Sequence, residues 1–130
     1  MSECNILIID DDLDDVEILG NAFKSCGVAS VHYVNSAIQA FIYLEGQKKE
    51  GLPKLIVTDM YLPGINGAQF RKDLKGLARY KHIPIVVLST LKKEQDIEKY
   101  RRVDVDYFLK PSTIEDYIKV AISMKTRAGL

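Results

Sequence analysis

The stretch NILIIDDDLDD (5–15) sets an apolar run directly against five carboxylates in six residues. Ile6–Ile9 is apolar without alternation, the pattern of a strand buried on both faces, as in parallel sheets covered by helices. The acids at its end repel one another, and such a cluster costs stability unless solvent or a cation offsets the repulsion. Part of the charge has a local explanation. Asp12 fits a helix N-cap, with Asp15 three residues on in a capping-box-like arrangement. Asp14, Asp15 and Glu17 fit the first turn of a helix, where negative charge is favoured. Asp10 and Asp11 remain, and they read as cation ligands.

Outward from this stretch, short apolar runs alternate with longer amphipathic ones. Val16, Leu19, Ala22 and Phe23 recur at helical spacing and stop at Gly27. Val31–Val34 reads as a second strand, and Ala37–Gln47 as a helix with Ile38, Phe41, Ile42 and Leu44 on its apolar face. Leu55–Thr58 is a third strand. The dense Pro and Gly of PGING (63–67) predict a loop, with a helix after it carrying Phe70, Leu74 and Leu77. IPIVVLS (83–89) is a fourth strand, Lys92–Arg102 a charged helix and Tyr107–Leu109 a fifth strand. Ile114, Tyr117, Ile118, Ala121, Ile122 and Lys125 mark a final helix. Five strands, each followed by a helix, predict a parallel α/β sheet with helices on both faces and right-handed crossovers.

The bulk numbers fit one domain over residues 1–130: 47% hydrophobic and 28% charged residues, without repeats or a linker. Net charge is zero, which argues against a nucleic-acid-binding protein. Charge is nonetheless uneven. Residues 1–20 hold seven acids and no Lys or Arg, whereas residues 71–110 hold eleven Lys or Arg against six acids. KKEQDIEKYRR (92–102) interleaves both signs and reads as a solvated helix face. Cys4 and Cys26 lack metal-site spacing and read as reduced thiols. No membrane span or leader pattern stands out, so a cytoplasmic location is expected. His32 and His82 read as structural.

In open α/β sheets ligands bind beyond the carboxyl ends of the strands, where strand order reverses. For the order 2-1-3-4-5 that point lies between strands one and three. Asp10, Asp11 and Asp12 follow strand one, Asp59 follows strand three, Ser89 and Thr90 follow strand four, and Lys110 follows strand five. Several carboxylates with a backbone carbonyl and waters suit Mg²⁺. A carboxylate can also serve as a nucleophile and become an aspartyl phosphate, with Mg²⁺, an ammonium and a hydroxyl countering the phosphoryl charge.

These residues resemble the receiver domain of two-component response regulators, across essentially the whole chain. LIIDDD resembles the family's acidic pair, VTDMYLPGING its phosphoacceptor segment, VVLST its strand-four switch segment and YFLKP its Lys-Pro. Four such motifs in order are a specific signal. The resemblance implies a flavodoxin-like (βα)5 fold of the stand-alone, single-domain type. It implies phosphorylation at Asp59 and Mg²⁺ held by Asp10, Asp11, Asp59 and the Tyr61 carbonyl. Asp11 and Asp59 would be direct ligands, and Asp10 would act partly through water. Ser89 would be the switch hydroxyl, preferred over Thr90 because it comes straight off the strand. Tyr107 would be the switch aromatic, Lys110 the phosphoryl-binding lysine, and the Lys110–Pro111 bond cis. The partners implied are a sensor histidine kinase or phosphotransfer protein, and a downstream protein met by the face of the charged helix, strand five and last helix. Self-association, as in a homodimer, is a further route; no membrane or nucleic acid is implied.

Two features depart from the family pattern. RRVDVDYF (101–108) lacks the Gly-Ala often found before strand five, and Tyr61 is larger than many residues at its place. The large ring would shield an acyl phosphate from water. Two other functions fit the residues less well. A Mg²⁺-dependent phosphatase would need a second acid two residues past Asp59, where Tyr61 stands. A receiver-like interaction domain that does not phosphorylate would not need Asp11, Asp59 and Lys110 together. Apart from reactions on its own Asp59, enzyme activity is not expected.

Overall fold

The computed structural model describes residues 5–89 and 106–130, with Asn5, Ser89 and Asp106 described by their backbone only. In order these form β1 (Asn5–Ile9), α1 (Leu13–Ser25), β2 (Ser30–Val34), α2 (Ala37–Glu45), a 3-10 turn (Lys49–Gly51), β3 (Leu55–Asp59), α3 (Gly67–Lys75), β4 (Ile85–Ser89), β5 (Asp106–Leu109) and α4 (Ile114–Arg127). The strands make one parallel sheet in the order β2-β1-β3-β4-β5. The charged helix expected at Lys92–Arg102 lies outside the described residues, as does Cys4.

Strand periodicity assigns the core to two faces. Ile6 and Ile8 of β1 join Leu55, Val57, Val86 and Leu88 beneath α1 and α4, which contribute Leu19, Ala22, Phe23, Tyr117, Ala121 and Met124. Leu7 and Ile9 point the other way, with Ile56 and Ile85, toward α2 and α3 and their Ala40, Leu44, Phe70 and Leu74. An alternating side-chain direction with both faces covered is why the strands read as unbroken apolar runs. Burying these side chains stabilises the fold by about 1.5–3 kcal/mol each before conformational entropy is counted.

The helix ends follow local chemistry. Asp12 caps α1 by accepting from the Asp14 and Asp15 N–H groups. Ser36, Asn66 and Thr113 cap α2, α3 and α4 in the same manner. At the far end of α1, Gly27 takes φ +93, which a side chain would disfavour. The carbonyl of Cys26 there accepts from Lys125 Nζ of α4 at 2.7 Å, tying the two helices together.

Helix α2 corrects one expectation. Its inward stripe is Ala37, Ala40 and Leu44 with Phe41 half-buried, whereas Ile38 and Ile42 are 71% and 67% exposed. The helix is apolar on more than one stripe, so periodicity alone left the face open. The stripe with two alanines lets the backbone approach the sheet closely. Ile114 and Ile122 of α4 and Leu77 beyond α3 are likewise exposed rather than core. His32 on edge strand β2 stacks on Tyr43 of α2, with ring centroids 4.1 Å apart.

Candidate functional site

Register carries Asp10 and Asp59 together. Ile9 of β1 pairs with Thr58 of β3, so the next residue of each strand, Asp10 and Asp59, leaves the sheet at the same edge. On the other side Asp59 is level with Leu88, and Ser89 with Leu109, which sets Lys110 just past the same edge. Asp10, Asp11 and Asp59 each bring a carboxylate oxygen within 4.8 Å of the others, a spacing that could hold a metal ion. Asp11 is exposed, so the cluster opens to solvent on one side.

Lys110 lies at the centre of the charge. Its Nζ is 2.7 Å from Asp15 Oδ2, 3.0 Å from Asp10 Oδ2 and 3.6 Å from Asp59 Oδ1. Both oxygens of Asp10 are engaged, because Oδ1 accepts from the Asp12 N–H at 3.0 Å. Burial pushes the Asp59 carboxyl up to about 6, the Asp10 charge adds to the rise, and Lys110 and the Met60 N–H only partly offset it. Asp10 is also raised, chiefly by burial, against the Asp12 N–H and Lys110. Burial alone would lower Lys110, but its bonds to Asp15 and Asp10 and the surrounding negative charge hold it well above the usual lysine range. The lysine is therefore a fixed cation, and burial works against the negative charge of Asp10 and Asp59. A group that binds there with compensating charge relieves that tension.

Asp10, Asp11, Asp59 and Lys110 meet at one sheet edge, as the expected strand order requires, but the sequence misassigns Asp15. The N–H of Asp12 is taken by Asp10 rather than by Asp15, so the capping-box arrangement does not form. Asp15 is not a solvated first-turn charge either, since it makes the shortest of the lysine contacts. Helical spacing carried the signal. Asp15 lies four residues before Leu19 and seven before Ala22, on the buried stripe of α1, so it must face the sheet. An acid on an inward stripe one turn from a strand-end lysine calls for a partner.

The segment after Asp59 is tightly held. Gly67 N–H donates to the Met60 carbonyl at 2.7 Å, and a Cβ at Gly67 would lie 2.2 Å from the Asp59 carbonyl oxygen. Met60 is fully buried against Val87, and the half-buried Tyr107 ring packs on that pair. Tyr61 is 56% exposed. Ser89 ends β4, but its side chain and Thr90 lie outside the described residues, and the choice between the two hydroxyls falls there. The Lys110–Pro111 bond is trans, not cis as the resemblance implied; trans is the intrinsic preference even before proline. Among the described residues no helix is long and apolar enough to cross a membrane.

Comparison with known proteins agrees with this geometry. The family model for the response regulator receiver domain matches residues 6–122. The two-component response regulator ORR12 of Oryza sativa subsp. japonica is 28% identical over 121 residues, covering 92% of this chain and 97% of that protein. Several other curated relatives are longer: the chain spans 61% of ARR7 of Arabidopsis thaliana and 25% of a probable cyclic di-GMP phosphodiesterase of Vibrio cholerae. The phosphorylated cyanobacterial phytochrome response regulator RcpA has the same fold, with a TM-score of 0.78 over 95% of this chain and 92% of that one at 24% identity. The bacteriophytochrome response regulator AtBRR is 26% identical, with a TM-score of 0.74 over 95% of this chain and 92% of that one. With the sheet order, the acidic edge and the family match in agreement, the chain belongs to the response regulator receiver domain family of two-component signalling.

Proposed function

We propose that Asp59 accepts a phosphoryl group from the phosphohistidine of a sensor histidine kinase or phosphotransfer protein, and that the chain signals by changing its protein contacts. The observation that carries this reading is the meeting of Asp10, Asp11 and Asp59 within 4.8 Å beside a buried ammonium 3.6 Å from Asp59. The donor set is all oxygen and open on one side, as suits Mg²⁺ with part of its water retained. When bound by Asp10, Asp11, Asp59 and the Tyr61 carbonyl, that ion would neutralise the carboxylates and lower the charge barrier to an incoming phosphoryl group.

The chain's own groups do the rest. An Asp59 carboxylate oxygen bonds to phosphorus as the P–N bond of phosphohistidine breaks, with the electron pair leaving on the histidine nitrogen. Lys110 then meets one phosphoryl oxygen as a point charge, and the Ser89 hydroxyl donates to another. Tyr107, which packs on the Met60 that follows Asp59, would follow that rearrangement. The shift between two packings alters the surface around β5 and α4, where a downstream protein or a second copy of the chain would bind. Reactivity beyond phosphorylation and slow dephosphorylation of its own Asp59 is not part of this reading, which places the chain in the cytoplasm.

Intact mass after incubation with Mg²⁺ and acetyl phosphate tests it. One added phosphoryl group is expected on the wild type, and none on Asp59→Asn or without Mg²⁺. No addition, together with no binding of beryllofluoride, would overturn the reading and leave a receiver-like interaction domain.

A further inference from the structure

The lysine expected to meet the phosphoryl group is held most closely by a different acid. Lys110 Nζ is 2.7 Å from Asp15 Oδ2 and 3.6 Å from Asp59 Oδ1. An ammonium has three donors, and here two are taken, by Asp15 and Asp10. The two acids differ in what they can do. Asp10 is buried, with its second oxygen fixed by the Asp12 N–H. The Asp15 side chain is 27% exposed, against 7% for Asp10, so water can take over its hydrogen bonds when the lysine leaves. Asp15 also stands on helix α1, whereas Asp10 directly follows β1 and Asp59 ends β3. A lysine drawn toward a group beyond Asp59 must therefore lengthen or break its contact with Asp15.

Building on phosphoryl acceptance at Asp59, we propose that Asp15 is a positioning residue that holds the Lys110 ammonium back from the Asp59 site. It competes with the phosphoryl group for the lysine and so weakens the phosphorylated state. The opposite role, a strut that presents the lysine to the phosphoryl group, predicts the opposite sign on removal.

The test is the affinity for beryllofluoride with Mg²⁺, followed by amide NMR, for wild type, Asp15→Asn, Lys110→Gln and the double variant. Asp15→Asn should bind about three- to tenfold more tightly, the scale of one partly solvated charged hydrogen bond. Lys110→Gln should bind more weakly, and adding Asp15→Asn to it should change nothing. Without metal or fluoride, the side-chain ¹⁵Nζ resonance of Lys110 should move in Asp15→Asn, a readout that general loosening of α1 would not give selectively. Asp15→Ser serves as a second variant should the asparagine disturb folding, which the amide spectrum reports. Unchanged or weaker binding in both Asp15 variants overturns the inference. An equal gain in the Lys110→Gln background also overturns it, because the effect would then bypass the lysine. Wild type that binds beryllofluoride while the variants show no gain leaves the proposed function standing. Wild type that fails to bind removes both.

Discussion

Replacing Asp59 with asparagine should stabilise the metal-free protein, although it removes the residue proposed to do its chemistry. The carboxyl is raised from 3.8 to about 6, first by burial and then by the Asp10 charge. The folded state thus holds this proton more tightly than the unfolded chain does. Stability falls as pH rises from about 4 to 6, and the whole penalty stays in force above pH 6. A rise of about two pH units at about 1.4 kcal/mol each sets a ceiling near 3 kcal/mol. Asparagine is the neutral isostere, so Asp59→Asn should gain about 1–3 kcal/mol at pH 7.5, or roughly 5–10 °C in Tm for a chain of this size. Urea unfolding with a chelator present, at pH 7.5 and pH 4, measures it. Acidification should close most of the gap, because the wild type then protonates Asp59 by itself. Millimolar Mg²⁺ should also narrow it at pH 7.5, since the ion compensates a charge the variant lacks. A variant no more stable than wild type at pH 7.5, or a gain that persists unchanged at pH 4, would refute the claim that Asp59 is held ionised against its environment.

Other substitutions probe the scaffold of the same site. Gly67→Ala puts a Cβ 2.2 Å from the Asp59 carbonyl oxygen, in contact with backbone that cannot yield cheaply; a loss of about 2–4 kcal/mol in urea unfolding is expected. Asp12→Ala removes the cap of α1 and should cost about 1 kcal/mol, while the proposed Asp59 phosphorylation still appears by intact mass. Tyr61→Asn should shorten the half-life of the phosphorylated protein, read by mass after donor removal, because the smaller side chain screens the acyl phosphate less; equal half-lives would refute that role. Proton competition at Asp59, whose carboxyl is raised to about 6, should weaken the proposed Mg²⁺ binding as pH falls below 6, and calorimetry across pH 5–8 checks it.

Much of the fold was legible because buried parallel strands leave an unmistakable trace. Ile6–Ile9, Leu55–Val57 and the apolar run before Ser89 carry no polar interruption, and each runs up to the edge where the chemistry-bearing residues stand. Order and direction of the strands then follow from the crossovers, and they bring Asp10, Asp59 and Lys110 to one edge from positions up to a hundred residues apart. What periodicity could not decide was which of two apolar stripes a short helix would bury. Ile38 and Ile42 outrank Ala37 and Ala40 in hydrophobicity, yet the alanine stripe is the one buried.

Asp15 is the more instructive miss, because a local rule and a tertiary contact competed for the same carboxylate. Helix-start chemistry assigns an acid in the first turn to the backbone and to solvent, and Asp12 obeys. For Asp15 the stripe shared with Leu19 and Ala22 outranks that rule, since a side chain on the buried face meets whatever the sheet presents. The sheet presents Lys110, ninety-five residues away in sequence. A lone ammonium among buried acids gains more from a third carboxylate than the helix N-terminus loses by giving one up. Even partly solvated, such a charged hydrogen bond is worth about 1–1.5 kcal/mol, against about 0.3–1 kcal/mol for an acid in an exposed first turn. The acidic run after β1 thus divides by direction rather than by sequence order: Asp11 toward solvent and the candidate cation site, Asp12 to the helix backbone, and Asp10 and Asp15 to the lysine.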